Sequence, residues 1–212
     1  MARGFIAGGR TLFGLLGPRH PPYRLIGPRV SIRCPHRRDQ RAWIAVRRES
    51  KRFLEPWEPT WPRDALTPGG YSKRLRRFLT EWQAGTGYGF FVFTNDEGRL
   101  VGGITIANVR RGVVQSANIG YWTGQPYVRQ GYMAEGLQLA LDFAFRTLEL
   151  HRIEAACLTD NQASRRLLLK SGFRAEGIAR KYLCINGQWQ DHETFAILKA
   201  DPRPSVPVIE KP

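Results

Sequence analysis

The chain reads as one α/β domain, a mixed sheet covered by helices. Three observations predict it. Residues 88–94 and 100–109 are apolar, β-branched or aromatic runs flanking Asn95-Asp96-Glu97-Gly98, a hairpin signal. Leu137, Ala140, Leu141, Ala144, Phe145 and Leu148 recur at spacings of three and four, the stripe of a helix packed on a sheet. Around that stripe the order is strand, helix, strand, helix, strand, with a second hairpin at the end.

Taken in order, residues 1–22 are rich in Gly, Pro and Arg and lack periodicity, which predicts a flexible basic extension. Its outline resembles a leader, but Arg10 interrupts the apolar run and no small-x-small cleavage site follows before Pro18. Val30, Ile32 and Cys34 alternate with polar residues, a first strand ending at Pro35. Asp39 is placed to cap a helix through residue 51 on the apolar members Ala42, Trp43 and Val46. Prolines 56, 59 and 62 then predict a non-helical loop.

A second helix is expected over 71–83, with Leu75, Phe78, Leu79 and Trp82 on one face. Further strands are expected at 116–122 and 153–158. A short helix at 161–170 ends at Ser171-Gly172, where glycine suits a C-cap. Residues 178–185 and 188–198 flank Asn186-Gly187, the pair that fits a type I′ turn. The domain is thus expected over 23–200, followed by a Pro-rich tail over 201–212.

Composition narrows the function classes. No apolar run approaches the roughly 18–20 residues that a membrane span needs, so no membrane partner is expected. Cys34, Cys157 and Cys184 are odd in number and far apart, which suits a reducing, cytoplasmic compartment. Neither they nor the four scattered histidines have zinc-ligand spacing, and no metal is expected. The net charge of +15 fits attraction to a polyanion such as rRNA or a cofactor's phosphates; a generally basic proteome would produce it too.

Two segments carry chemistry. Gly120-Tyr121-Trp122 leads into Val128-Arg129-Gln130-Gly131-Tyr132-Met133-Ala134-Glu135. The first amides of a helix have no internal partner and can donate to an anion. Gly131 would let a phosphate approach the backbone, and Arg129 adds positive charge; a plain strand–loop–helix connection has the same look. Downstream, Asn161 suits either a helix N-cap or a polar ligand. Ser164, three residues on, could hold or protonate a thiolate or merely satisfy nearby backbone.

This order of segments resembles the GNAT superfamily, specifically the ribosomal-protein-alanine N-acetyltransferases of the RimJ/RimL group, and RimJ more closely. The matching stretches are Leu54-Glu55-Pro56-Trp57-Glu58-Pro59, Gly120-Tyr121-Trp122, Gly131-Tyr132-Met133-Ala134-Glu135, His151-Arg152-Ile153, Asp160-Asn161-Gln162-Ala163-Ser164 and Ile185-Asn186-Gly187-Gln188-Trp189-Gln190-Asp191-His192, within roughly 28–200. The resemblance implies the GNAT fold: a mostly antiparallel central sheet with helices on both faces and a splayed parallel strand pair for acetyl-CoA. It implies acetyl-CoA as donor, with the pyrophosphate over Val128, Arg129, Gln130, Gly131, Tyr132 and Met133, and the pantetheine arm beside Tyr121 and Trp122. Asn161 would contact that arm and Ser164 would lie near the sulfur. Val128 departs from the usual Gln or Arg that opens this loop.

The implied acceptor is a protein N-terminal α-amine, on a ribosomal protein beginning with Ala or another small residue, with contact to the ribosome or rRNA. An α-amine has an ordinary pKa near 7.7–8.0, so a weak base acting through water suffices. Candidates for that base are Glu58, Asp191 and His192. A RimL-like pattern has a carboxylate where Lys181 stands. Tyr182 is a second possible acid, and a backbone amide of 121–123 could polarise the carbonyl. Direct transfer in a ternary complex is expected, because no cysteine sits in an activated motif. Two other readings stand beside this one: a GNAT acting on a small amine, and an inactive RNA- or ribosome-binding protein of the same fold. Either a monomer or a homodimer is compatible.

Overall fold

The computed structural model describes residues 21, 23–207 and 209–211. The basic extension expected over 1–22 therefore lies outside the described residues, except for Pro21. The strands are β1 (Arg24–Ile26), β2 (Val30–Arg33), β3 (Tyr88–Thr94), β4 (Leu100–Arg110), β5 (Ser116–Thr123), β6 (Arg152–Leu158), β7 (Arg174–Ile185), β8 (Gln188–Leu198) and β9 (Ile209–Lys211). The helices are α1 (Gln40–Glu49), α2 (Lys51–Leu54), α3 (Pro68–Ala84), α4 (Tyr132–Asp142) and α5 (Gln162–Lys170). All strands join one sheet in the order β7-β8-β6-β5-β4-β3-β2-β1-β9. Among the described residues only β5 and β6 run parallel, which is the mixed, mostly antiparallel sheet expected.

The alternation of side chains along β3 assigns the helices to faces. Gly89 and Phe91 face α3: a Cβ on Gly89 would sit 2.8 Å from the Phe78 ring, and Phe91 packs against Tyr71. Tyr71 in turn meets Trp43, so α1 and α3 share this face. Val92 faces α4, whose Gly136 backbone comes so close that a Cβ would lie 3.3 Å from both Val92 and Ile104. The side chain of Gln138 on α4 donates to the Ser171 carbonyl at the end of α5 (3.1 Å), joining those two helices on the second face.

Several local expectations need correction. The helix begun near Asp39 breaks at Ser50 (φ −90°, ψ 5°) and resumes as α2. Glu55–Trp57 is a tight helical turn rather than a non-helical loop, since a proline in a first turn forfeits no helical bond. The stripe ending at Leu148 is α-helical only to Asp142. The next turn closes with a wider bond from Leu148 N–H to Phe143 O (3.0 Å), which the same apolar spacing accommodates. β7 starts at Arg174, earlier than the expected 178. Asn186 (φ 45°) and Gly187 (φ 81°) are both left-handed, as a type I′ turn requires. β9 brings the Pro-rich tail back to pair with β1. On the way Arg203 donates to Asp142 (2.8 Å) and lies over the Phe145 ring.

Candidate active site

The centre of the sheet is open. β5 and β6 share ladder positions at Ser116/Arg152, Ala117/Ile153 and Asn118/Glu154, and none beyond. From there β5 continues beside β4 to Thr123, and β6 beside β8 to Leu158. Two strands that keep one partner each and lose one another leave a slot lined by unlinked backbone. An extended molecule with amide groups can complete both edges.

Below the slot, the chain turns through Gly124 and a tight turn at Gln125–Tyr127 into α4. Arg129 (φ 62°) and Gly131 (φ 81°) are both left-handed. The first helical bond runs from Glu135 N–H to Gly131 O (3.2 Å), so the amides before it precede the ladder. Free amides on a curl of backbone at a helix start can donate to an anion such as a pyrophosphate. Gln130 is tied to the loop itself, donating to Pro126 O at 2.8 Å. Met133 is buried, with its methyl near Gly102.

On the α5 side of the slot, Asn161 Oδ1 accepts from Ser164 N–H (3.0 Å), the N-cap that its position suggested. The Ser164 Oγ lies 2.7 Å from the Tyr121 hydroxyl, across from β5 to α5. Burial raises the Tyr121 phenol above its ordinary range, and the bond to Ser164 opposes part of that shift. Cys157 neighbours the same serine; burial pushes its thiol up to about 11, with Ser164 pulling the other way.

On the α1 side lies a charged cluster. Glu58 accepts from both Arg47 Nη1 (2.7 Å) and Nη2 (2.6 Å), and from Trp61 Nε1 (2.7 Å). The Arg47 guanidinium sits between the rings of Trp61 (4.1 Å) and Trp122 (4.8 Å), and its Nε is buried with no hydrogen-bond partner. Arg74 stacks over Trp43; burial first, then Arg47, pushes it down to about 10, and Glu58 counters the shift. Glu58 thus anchors Arg47 by both guanidinium nitrogens and accepts a third bond from Trp61. Neither Arg47 nor Trp61 carried a signal in the sequence. The Glu58 carbonyl also accepts from Asn186 N–H (3.0 Å), so two of the stretches that carry the family resemblance touch in space.

The remaining candidates lie on β7 and β8. His192 is 3% exposed and pairs across the ladder with Leu158 and Ala179. Its Nδ1 is 3.0 Å from Gln190 O; a carbonyl only accepts, so Nδ1 carries the proton. Tyr182 packs edge-on against the same imidazole. Glu193 bonds Arg165 on α5, so His192, one residue earlier, faces the opposite side of the sheet from α5. Asp191 points the other way. It accepts from Lys181 N–H (2.9 Å), whose φ of 46° marks the bulge that the carboxylate pins. The structure therefore pairs Tyr121 with Ser164 and His192 with Tyr182, holds Glu58 with Arg47 and Trp61, and turns Asp191 to the opposite side of the strand from His192. Among the described residues no group of three or more His, Cys, Asp or Glu is arranged to hold a metal. No helix among them is long and apolar enough to cross a membrane.

An open parallel pair beside a helix start with free amides is the arrangement an acyl-CoA-dependent acyltransferase requires. Residues 29–174 match the GNAT acetyltransferase domain, and the chain belongs to that family, an N-acetyltransferase using acetyl-CoA. It is 36% identical to the probable N-acetyltransferase YjcK of Bacillus subtilis, covering 84% of this chain and 98% of the relative. It is 35% identical to the [ribosomal protein uS5]-alanine N-acetyltransferase of Escherichia coli, covering 85% and 93%. Among solved structures, Mycobacterium smegmatis RimJ in complex with CoA-disulfide superposes with a TM-score of 0.78 at 33% identity, covering 85% of this chain and 90% of that one.

Proposed function

We propose that the protein transfers an acetyl group from acetyl-CoA to the N-terminal α-amine of a ribosomal protein that begins with Ala or another small residue. Near-full-length similarity to a ribosomal-protein-alanine N-acetyltransferase carries this reading. The contact between Glu58 and Asn186 supports it, because it joins two motifs shared with that group at the amine's side of the slot. Such chemistry belongs in the cytoplasm, where ribosomal proteins are made. The basic surface suits an acceptor already associated with rRNA, since a basic protein alone would be repelled.

In this reading the amides of 129–133 hold the pyrophosphate, and the edges of β5 and β6 flank the pantetheine arm. Acetyl-CoA supplies the thioester carbonyl. The neutral amine attacks it from the His192 side, forming the C–N bond; the C–S bond breaks and the thiolate takes a proton from the Ser164–Tyr121 pair. His192, protonated on Nδ1 and carrying its lone pair on Nε2, accepts the amine's proton through water. Glu58, paired with Arg47, faces the approaching ammonium, and Trp57, Tyr182 and Leu183 offer exposed apolar surface for the acceptor. Transfer is direct, because burial keeps the Cys157 thiol protonated at neutral pH.

Free CoA release measured with peptides beginning Ala, Ser, Thr or Met tests this. Turnover on Ala- or Ser-initiated peptides is expected, and turnover on small amines alone would overturn the acceptor assignment.

A further inference from the structure

We propose that Arg29, on the turn between β1 and β2, is a positioning residue for the phosphate loop and supplies from behind the positive charge that Val128 lacks. The inference rests on reading residues 129–133 as the pyrophosphate site.

Arg29 is about a hundred residues from that loop in sequence, yet its Nη1 donates to the Gln130 carbonyl at 3.1 Å. Its guanidinium lies 5.1 Å over the Tyr132 ring. A Cβ at Gly131 would stand 2.9 Å from Nη2, so glycine at 131 leaves room for the guanidinium as well as for a left-handed turn. Glu135, one turn into α4, fixes the arginine from the other side. It accepts from Arg29 N–H (2.7 Å), Val30 N–H (2.9 Å) and Arg29 Nε (3.3 Å).

The peptide joining Gln130 and Gly131 is trans, so its C=O and N–H point in opposite directions. With the carbonyl held against Arg29, the Gly131 N–H is aimed away from it, toward the concave side of the loop. A cation on the carbonyl also polarises that N–H and makes it a stronger donor to an anion. Loops of this family usually open with Gln or Arg, where this chain has Val128. The arginine and its carboxylate anchor place a charge at the same loop from a different strand.

The test compares two ligands by calorimetry, CoA and pantetheine, the second lacking both the pyrophosphate and the nucleotide. Wild-type protein is expected to bind CoA more tightly than pantetheine. In Arg29→Met that preference should shrink by about fivefold, the scale of one partly exposed charge-assisted bond, while pantetheine affinity stays within about twofold. Arg29→Lys, which keeps the charge and loses the planar fork, should fall between. Gly131→Ala should reproduce the loss by displacing the guanidinium. A general structural role would weaken both ligands equally. If Arg29→Met keeps the full preference for CoA, the role of Arg29 is overturned. If wild-type protein shows no preference at all, the loop assignment falls and the role of Arg29 with it.

Discussion

The hydroxyls of Tyr121 and Ser164 lie 2.7 Å apart, one from the free length of β5 and one from the first turn of α5. They are the polar pair that spans the slot between the diverging strands. Burial keeps the phenol protonated through the working pH range. Tyr121→Phe and Ser164→Ala are each expected to lower kcat about 10- to 100-fold. The double variant should lose much less than the product of the two, because the residues act as one unit. The rate should rise with pH as the acceptor amine loses its proton near 7.7–8.0. Tyr121→Phe should lower the plateau without moving that limb. Stopped-assay pH profiles of CoA release check both points.

Thiol reactivity separates the three cysteines. Burial raises Cys34 to about 12 and Cys157 to about 11, whereas Cys184 is exposed. A raised thiol pKa means less thiolate, the reactive form, at any pH below it. Iodoacetamide at pH 8 should therefore alkylate native protein once, at Cys184, and denatured protein three times. Intact-mass and peptide mass spectrometry read the outcome directly.

Arg47 and Glu58 form a bidentate pair with side-chain exposures of 6% and 21%. Glu58→Ala strands a buried guanidinium between two tryptophan rings and should destabilise the fold by about 2–4 kcal/mol. The double variant Arg47→Met/Glu58→Gln removes that stranded charge and should regain most of the loss. Acceptor KM should rise in both, since neither retains the carboxylate. Urea denaturation, run beside steady-state kinetics, separates the two effects.

Gly102 on β4 meets the strand that carries Tyr121 and Trp122. A Cβ there would sit 2.2 Å from the Trp122 carbonyl. Gly102→Ala must push β5 toward the slot, at a cost of about 1–3 kcal/mol. A fall in both thermal midpoint and acetyl-CoA affinity is expected.

These sites differ in how far the sequence reveals them. The β3–β4 and β7–β8 hairpins were legible because Asn95–Gly98 and Asn186-Gly187 are local turn signals flanked by strand-forming residues. The loop before α4 and the cap at Asn161 were legible for the same reason: helix starts are written within a few residues. The partnerships were not. Arg47 reaches Glu58 across a helix break, Tyr121 reaches Ser164 across the slot, and Arg29 reaches Gln130 from another strand. No periodicity encodes such pairs. The three-residue strands β1 and β9 were also missed, being too short for alternation to register.

The gap between β5 and β6 has a thermodynamic consequence for the whole domain. A sheet whose middle ladder stops at Asn118 and Glu154 forgoes cohesion at its centre, where other folds are strongest. A ligand that bridges those two edges binds the folded chain and not the unfolded one, so a cosubstrate seated there would act as a stabiliser. At a hundredfold excess over Kd it adds about 2.7 kcal/mol to the unfolding free energy. The melting temperature of this protein is in that sense a gauge of the acetyl-CoA and CoA around it.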